Sequence, residues 1–467
     1  MAYTIEQSPL YTLNTAGQEV IFTVLDASIV STYYNVKYIA EVHISDEDIN
    51  LATTTAIVGT FKTTPNNSGA GIFDFRPIVE SFVNPDNLAA LVSEYKGTAT
   101  TATTSHPLHL IDKYSLNDNV VRYLKIRFKI EGSTTATGTV SIIDTEDSAQ
   151  YTLINGYLKY IDVQDRDADG NFGFNTEIFQ LGGGATGNQL LTNAPTTQYA
   201  NINDYGTLSF MTTPLTGDVS NTTLDYFKIK LYDDGGSPLG TDIIIDNTDA
   251  NGGNTTWDSD TKNQLFHLGC FPANLKNWSS IFLANTTDLS YYLVEAFNIS
   301  NQSISDRYTI NINCPTLKGY EPIRLTWLNQ WGVWDYYTFT MKSTKTISTK
   351  GTTYQQLAGT WNESIYSPSG YRGGKKAFRV NAMEKISMNT DFVNEAESEW
   401  FEELINSPEV YILDGFQTDP TNPLLNTYVT PVRLTTSNYT KKTIANDKLI
   451  QYTFEVEKSK TLRTQSI

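Results

Sequence analysis

The 467-residue sequence carries 39% hydrophobic and 12% aromatic side chains but only 18% charged ones, and at roughly 150 residues per domain it predicts about three hydrophobic cores. Its net charge of −18 repels phosphate backbones and anionic lipid, which excludes a nucleic-acid binder built on Lys and Arg and argues against a membrane surface. Tyr, Phe and Thr favour half-buried pleated surfaces and Asn, Ser and Gly favour turns, so the composition leans to strands and loops.

The N-terminus (MAYTIEQ) lacks the basic start and apolar run of a secretory signal. No stretch reaches the ~18 apolar residues of a membrane-spanning helix. Synthesis and folding in a cytoplasm are therefore expected. A strand is predicted over residues 34–44, where Tyr34, Val36, Tyr38, Ala40, Val42 and Ile44 alternate with mostly polar neighbours, His43 among them. Residues 73–82 (FDFRPIVESF) suggest one or two helical turns after Pro77, and the Thr/Ala/Ser run 98–105 suggests an exposed loop. Leu124, Ile126, Phe128 and Ile130 alternate cleanly with Lys125, Arg127 and Lys129, the pattern of an antiparallel strand with one wet face. Further strands are predicted over 226–232, 291–297, 308–312, 334–341 and 450–456. Strong breakers occur at 65–69, 233–236, 251–254 and 367–370, and the Gly-rich stretch 182–187 is expected as a hairpin or loop.

One amphipathic helix is predicted over 391–406. Val393, Ala396, Trp400, Phe401, Leu404 and Ile405 share a face, Thr390 or Asp391 caps the start, and Ser407 before Pro408 ends it. With strands on both sides, it should rest on a sheet. The predicted fold class is mainly β, with several antiparallel sandwich or barrel domains at 1–160, 161–317 and 318–467. No internal repeat is evident. Only Cys270 and Cys314 occur, too few for a disulfide scaffold or a four-Cys zinc site, and two free buried thiols are expected.

Few motifs carry chemistry. Of four histidines, His106 and His109 lie three apart without the Glu of a metalloprotease helix, and Pro107 weakens a helical reading. No nucleophile elbow or phosphate-binding loop is present. With 51 acidic residues, sequence cannot single out a glycosidase carboxylate pair. Asp165, Asp167 and Asp169, followed by Gly170, have the spacing of oxygen ligands around Ca2+. The closing Glu falls one position late, at Glu177, with Thr176 in its place, so the same residues also read as an acidic solvated loop. The aromatic run Trp327, Trp331, Trp334, Tyr336, Tyr337 and Phe339 reads as two core strands joined by a turn at 329–332. Trp331, Trp334 and Tyr336 are alternatively anchors of a protein interface or platforms for a sugar.

Residues 1–9 (MAYTIEQSP), 16–24 (AGQEVIFTV), 71–75 (GIFDF) and 109–123 (HLIDKYSLNDNVVRY) resemble stretches of structural virion proteins of tailed phages, a group common among marine and Bacteroidetes-infecting viruses. The C-terminal third, with 325–335 (LTWLNQWGVWD), 410–413 (VYIL) and 431–434 (PVRL), looks like such a protein as well. A strand–helix–strand sandwich there is similar to tail-tube and distal-tail folds. The resemblance implies a tail, baseplate or adaptor-ring component of the virion. It would assemble in the host cytoplasm as a cyclic homo-oligomer with other virion proteins, by pairing of sheet edges, without catalysis or a cofactor. The alternatives are a spike or fibre that binds host surface glycan, a collar or head-decoration protein, and a virion-associated glycan depolymerase.

Overall fold

Alternation of apolar and polar side chains builds the first sheet. In β4 (Tyr34–Ser45) and β8 (Val121–Ser133), paired antiparallel along most of their length, Tyr38, Ala40, Val42, Leu124, Ile126, Phe128 and Ile130 turn inward and are essentially unexposed. Lys129 and Arg127 turn outward, and their charges meet Glu41 at 2.6 Å and Asp147 at 2.8 Å. The computed structural model describes residues 3–53, 56–83, 108, 113–117, 121–159, 162–163, 165–181, 187–212, 224–246, 264–298, 300–313, 319–360, 364–414, 428–436, 438–441 and 450–463. As expected, the protein is mainly β, with a few short helices.

By contact density the chain divides into two compact units. The first is Met1–Asn313 with Leu328–Asp335 and Gly415–Asn426; the second is Cys314–Trp327, Tyr336–Asp414 and Thr427–Ile467. The first unit opens with two sheets. One joins β1 (Thr4–Gln7), β3 (Ile21–Leu25) and β6 (Ala70–Asp74); the other runs β2 (Leu13–Thr15), β10 (Tyr151–Ile154), β8, β4 and β5 (Gly59–Thr63), with β9 (Ser141–Asp147) also on β8. Their shared core is aromatic: Phe22 lies 5.6 Å from Phe75, 5.7 Å from Phe128 and 5.5 Å from Tyr151, ring centre to ring centre. Each such ring contributes roughly 1.5–3 kcal/mol by leaving water. Two single-turn helices, α1 (Ile29–Thr32) and α2 (Arg76–Val79), follow β3 and β6. The helical stretch expected at 73–82 is thus a strand through Asp74 and one turn, started by Pro77 near its N-terminus.

Two more sheets complete this unit. The larger runs β14 (Thr197–Asn201), β20 (Tyr308–Asn313), β19 (Tyr291–Asn298), β16 (Leu224–Tyr232) and β17 (Pro238–Asp246). The smaller runs β13 (Gln180–Leu181), β15 (Leu208–Thr212), β18 (Gln264–Leu268) and β7 (Tyr114–Asn117). Phe210 of β15 packs on Phe227 of β16 at 4.8 Å and on Phe266 of β18 at 5.3 Å. The opposite face of β15 and β18 presents Met211 and Leu265 to a second cluster with Leu13, Ile154, Phe179, Leu191 and Trp331. This small sheet is therefore buried on both faces. Its edge strand β7 comes from far upstream in the chain. Pairing is antiparallel except in β2–β10, β13–β15 and β14–β20, which are parallel. A two-strand ribbon, β11 (Asp165–Arg166) and β12 (Phe172–Gly173), and helices α3 (Pro272–Trp278) and α4 (Ser280–Asn285) complete the unit.

The second unit is organised on one seven-stranded sheet, in the order β22 (Trp334–Phe339), β21 (Ile323–Leu328), β25 (Val410–Leu413), β26 (Val429–Leu434), β27 (Thr453–Lys458), β24 (Gly374–Asn389) and β23 (Ser343–Gln356). Helix α5 (Glu395–Asn406) lies on it as the sequence requires. Trp400 meets Trp327 at 4.9 Å, and Phe401 meets Phe454 at 5.4 Å. The helix starts later than expected because Asn394, not Thr390 or Asp391, is the cap. The Asn394 side chain accepts from the Glu397 amide at 2.8 Å, and Glu397 accepts from the Asn394 amide at 2.8 Å. Thr390 instead accepts from the Tyr452 amide, and Val393 bridges Ile450. Among the described residues, no helix is long and apolar enough to cross a membrane.

Candidate functional site

The Asp-rich motif forms the turn between β11 and β12. Asp167 accepts the amides of Asp169 at 3.0 Å and Asn171 at 2.8 Å, and the Asn171 side chain at 2.6 Å. These donors, the Asn171 side chain foremost, hold its carboxyl below the usual carboxylate range. Gly170 supplies the left-handed residue (φ +84°) that closes the turn. Asp165 accepts from the Tyr11 hydroxyl at 2.7 Å. Burial and that bond push the Tyr11 hydroxyl up to about 12. Gln7 donates to the Gly170 carbonyl at 2.7 Å, and the Ser8 amide to Asn171 at 2.8 Å. Asp165, Asp167 and Asp169 do not converge on a common point, and among the described residues no three His, Cys, Asp or Glu side chains do. The motif acts as a bracket that fastens this ribbon to residues 7–11.

Trp331, Trp334 and Tyr336 are 3%, 4% and 5% exposed, so their rings are spent on this chain's own core. Trp331 lies 4.4 Å from Phe179, and its indole N–H donates to Asn193 at 3.1 Å. The turn that carries it is specified by Asn329, whose side chain accepts the amides of Trp331 and Val333, and by Gly332 at φ +75°. The Tyr336 ring lies under the Arg324 guanidinium at 5.1 Å.

Of the histidines, His43 is placed differently from expectation. His43, on the polar side of its strand's pattern, is buried, with Nδ1 2.8 Å from the Ala56 carbonyl. His267 is also buried, with Nδ1 2.7 Å from Ser209 Oγ, and burial pulls its pKa down to about 3. A Ser–His pair at 1–2% exposure offers no surface to a substrate. Cys270 is free and buried, its thiol pushed up to about 12 by burial. His106, His109, Cys314, the loop 98–105, most of the glycine-rich turn 182–187 and the turn 251–254 lie outside the described residues.

The feature that sequence reading missed is the hairpin of β23 and β24. Only Lys385 to Asn389 of β24 pair with β27, and Ala382 makes one further bridge to Leu462. From the pair Ile347–Glu384 to the pair Gln356–Gly374 the two strands run together as a ribbon, about 30 Å long at roughly 3.4 Å per residue. Phe378 forms a bulge at the register shift between Thr352 and Thr353. Nearly every side chain is exposed, including Ile347, Phe378 and Val380 on the strands and Leu357, Ile365, Tyr366 and Tyr371 at the tip. Ile365 and Tyr371 reach 76% and 75%. A two-stranded hairpin is marginal in water by itself, and so many exposed apolar side chains on one are unusual for a surface that faces only water.

Charge sets the ribbon apart as well. Residues 343–383 carry Lys345, Lys350, Arg372, Lys375, Lys376 and Arg379 against Glu363, an excess of five positive charges. The chain as a whole stands at −18, so the remainder carries −23. By strand alternation, Lys350, Arg379 and Lys376 share one face of the ribbon, while Ile347, Ala382 and Val380 share the other and continue the line of buried Ile386 and Met388. A signal was available in the sequence: a Thr-rich run without hydrophobic period, locally basic in an acidic chain.

No protein-family model matches this sequence, and no curated protein matches it.

Proposed function

We propose that this chain is a structural component of a tailed-phage virion, a tail, baseplate or adaptor-ring protein that assembles by protein–protein contacts and catalyses no reaction. The observation that carries the reading is the β23–β24 ribbon, an exposed, apolar and basic arm on an otherwise strongly acidic chain. Its outer edge, which pairs with no strand among the described residues, can add to a neighbouring sheet. Its excess positive charge suits the acidic remainder of a second copy, so that each copy gives an arm and receives one, the arrangement that closes rings. The test compares the full chain with a variant in which residues 349–382 are replaced by Asn-Gly, using light scattering and negative-stain imaging. Closed rings are expected for the full chain, and monomers with an unchanged circular dichroism spectrum for the variant. Assembly that survives removal of the arm, or a full chain that stays monomeric at every concentration, would refute the proposal.

A further inference from the structure

A second feature of the first unit points to a small ligand, on grounds independent of the ribbon. The turn after β2, the start of α2, Tyr157, Leu158, Val163 and the β11–β12 ribbon enclose an open cavity of about 490 Å³. That volume lies in the range of roughly 300–1,000 Å³ typical of small-molecule sites. Its walls are held in advance of any ligand. The Gly17 amide donates to the Gly156 carbonyl at 2.8 Å, and a Cβ on Gly17 would stand 2.6 Å from that oxygen and 2.8 Å from the Tyr157 ring. Gln18 is locked by Asn14 at 2.6 Å and Thr15 at 3.1 Å. The opposite wall is the ribbon fastened to residues 7–11 by the bracket described above.

The chemistry of the lining reverses the sign of the protein. Arg76 and Arg166 line the cavity, with Glu19 as the one carboxylate among the described lining residues, in a chain of net charge −18. The Arg76 guanidinium has Asp74 only at 3.9 Å, a separation at which a bidentate pair is not formed. Arg166 lies over the Phe172 ring at 5.8 Å and forms no ion pair among the described residues. Around these two forks stand Tyr157, Leu158, Val163 and Phe172, and the Tyr157 ring is 58% exposed. A bare inorganic anion would use the arginines and leave the apolar wall wet. A carboxylate on a compact polyhydroxylated ring uses all three parts: the forks bind the acid, the aromatic wall covers the C–H face, and Glu19 accepts from hydroxyls.

We propose that this cavity is a binding site for an anionic sugar, such as a uronate residue of an acidic polysaccharide, with Arg76 and Arg166 as its carboxylate receptors. Titration calorimetry of the full chain with a glucuronate-containing disaccharide, its neutral glucose counterpart, inorganic phosphate and a short oligoglutamate peptide tests it. The acidic disaccharide is expected to bind at least about tenfold more tightly than the other three, and Arg166→Gln, Arg76→Gln and Tyr157→Ala each to weaken it by about tenfold or more. Unchanged melting temperatures would show that the exposed Arg166 and Tyr157 variants remain folded. No heat with the acidic disaccharide would overturn the proposal, as would equal binding of the neutral sugar. Phosphate or oligoglutamate binding as tightly would replace it with a simple anion site or a peptide site.

Discussion

Lowering the pH from 7 to 5 should destabilise the first unit through one side chain. His267 is 1% exposed, Nδ1 shares a hydrogen bond with Ser209, and Nε2 has no hydrogen-bond partner among the described residues. Burial holds its pKa at about 3, against about 6.5 in an unfolded chain. The folded-state value is depressed, so the folded protein prefers the neutral ring. At pH 7 both states are neutral and nothing is lost. As the pH falls through 6.5 the unfolded chain takes up a proton that the folded chain refuses, and stability drops by about 1.4 kcal/mol per pH unit until about pH 3. Between pH 7 and pH 5 the loss is about 2 kcal/mol. Carboxylates add their own slope, but one common to any variant that leaves them in place. Urea unfolding at the two pH values should therefore show Ser209→Ala/His267→Leu losing about 2 kcal/mol less than the native chain; the double change avoids an orphaned buried hydroxyl. Identical pH dependence in the two proteins would refute the reasoning, because it would mean that His267 is protonated in the folded state or titrates equally in both.

Two substitutions test the local geometry. Gly332→Ala should destabilise by about 3 kcal/mol, combining a left-handed φ with a Cβ only 2.0 Å from the Asn155 carbonyl, whereas Gly170→Ala, equally left-handed but with nothing within 4 Å, should cost only about 1 kcal/mol; equal shifts in thermal midpoint would argue against the close approach. Asn394→Ala removes the side-chain half of the α5 capping box, the acceptor for the Glu397 amide, and should cost about 1 kcal/mol in the unfolding of the second unit, with no loss measured if the cap lies at Thr390 or Asp391 instead.

Most of the strands legible in the sequence announced themselves through one wet face, while the almost wholly buried β21 and β22 were legible from their aromatic run instead. In β4 and β8 the outer lysines and arginines alternate with the core and fix the period. In β15 (LSFMT) and β18 (QLFHL) both faces are buried, so no polar residue needs to recur and the period of two disappears. In β23 (STKTISTKGTTYQQ) both faces are exposed, and the pattern is lost for the opposite reason. The ribbon was unread on that account, although its β-branched threonines are strand formers. The Asp165 motif was visible, but spacing cannot say whether carboxylates face an absent cation or the amides of their own turn. Trp331 was rightly assigned to a turn between strands; its burial depends on Phe179 and Asn193, far away in sequence.

The strand at 114–117 has a consequence for anyone who would take the molecule apart. The sheet it completes is otherwise formed by residues 180–181, 208–212 and 264–268. The segments on either side of it, Gly59–Thr63 and Ala70–Asp74 before and Val121–Ser133 after, belong to the first two sheets. No single scission of the backbone can release either half of the first unit whole: a fragment ending near residue 160 carries a strand with nothing to pair, and its complement keeps β18 with an open flank. A gene cut at that point would yield two products that each need the other, and their recovery as a noncovalent pair would be the natural fate of co-expressed halves.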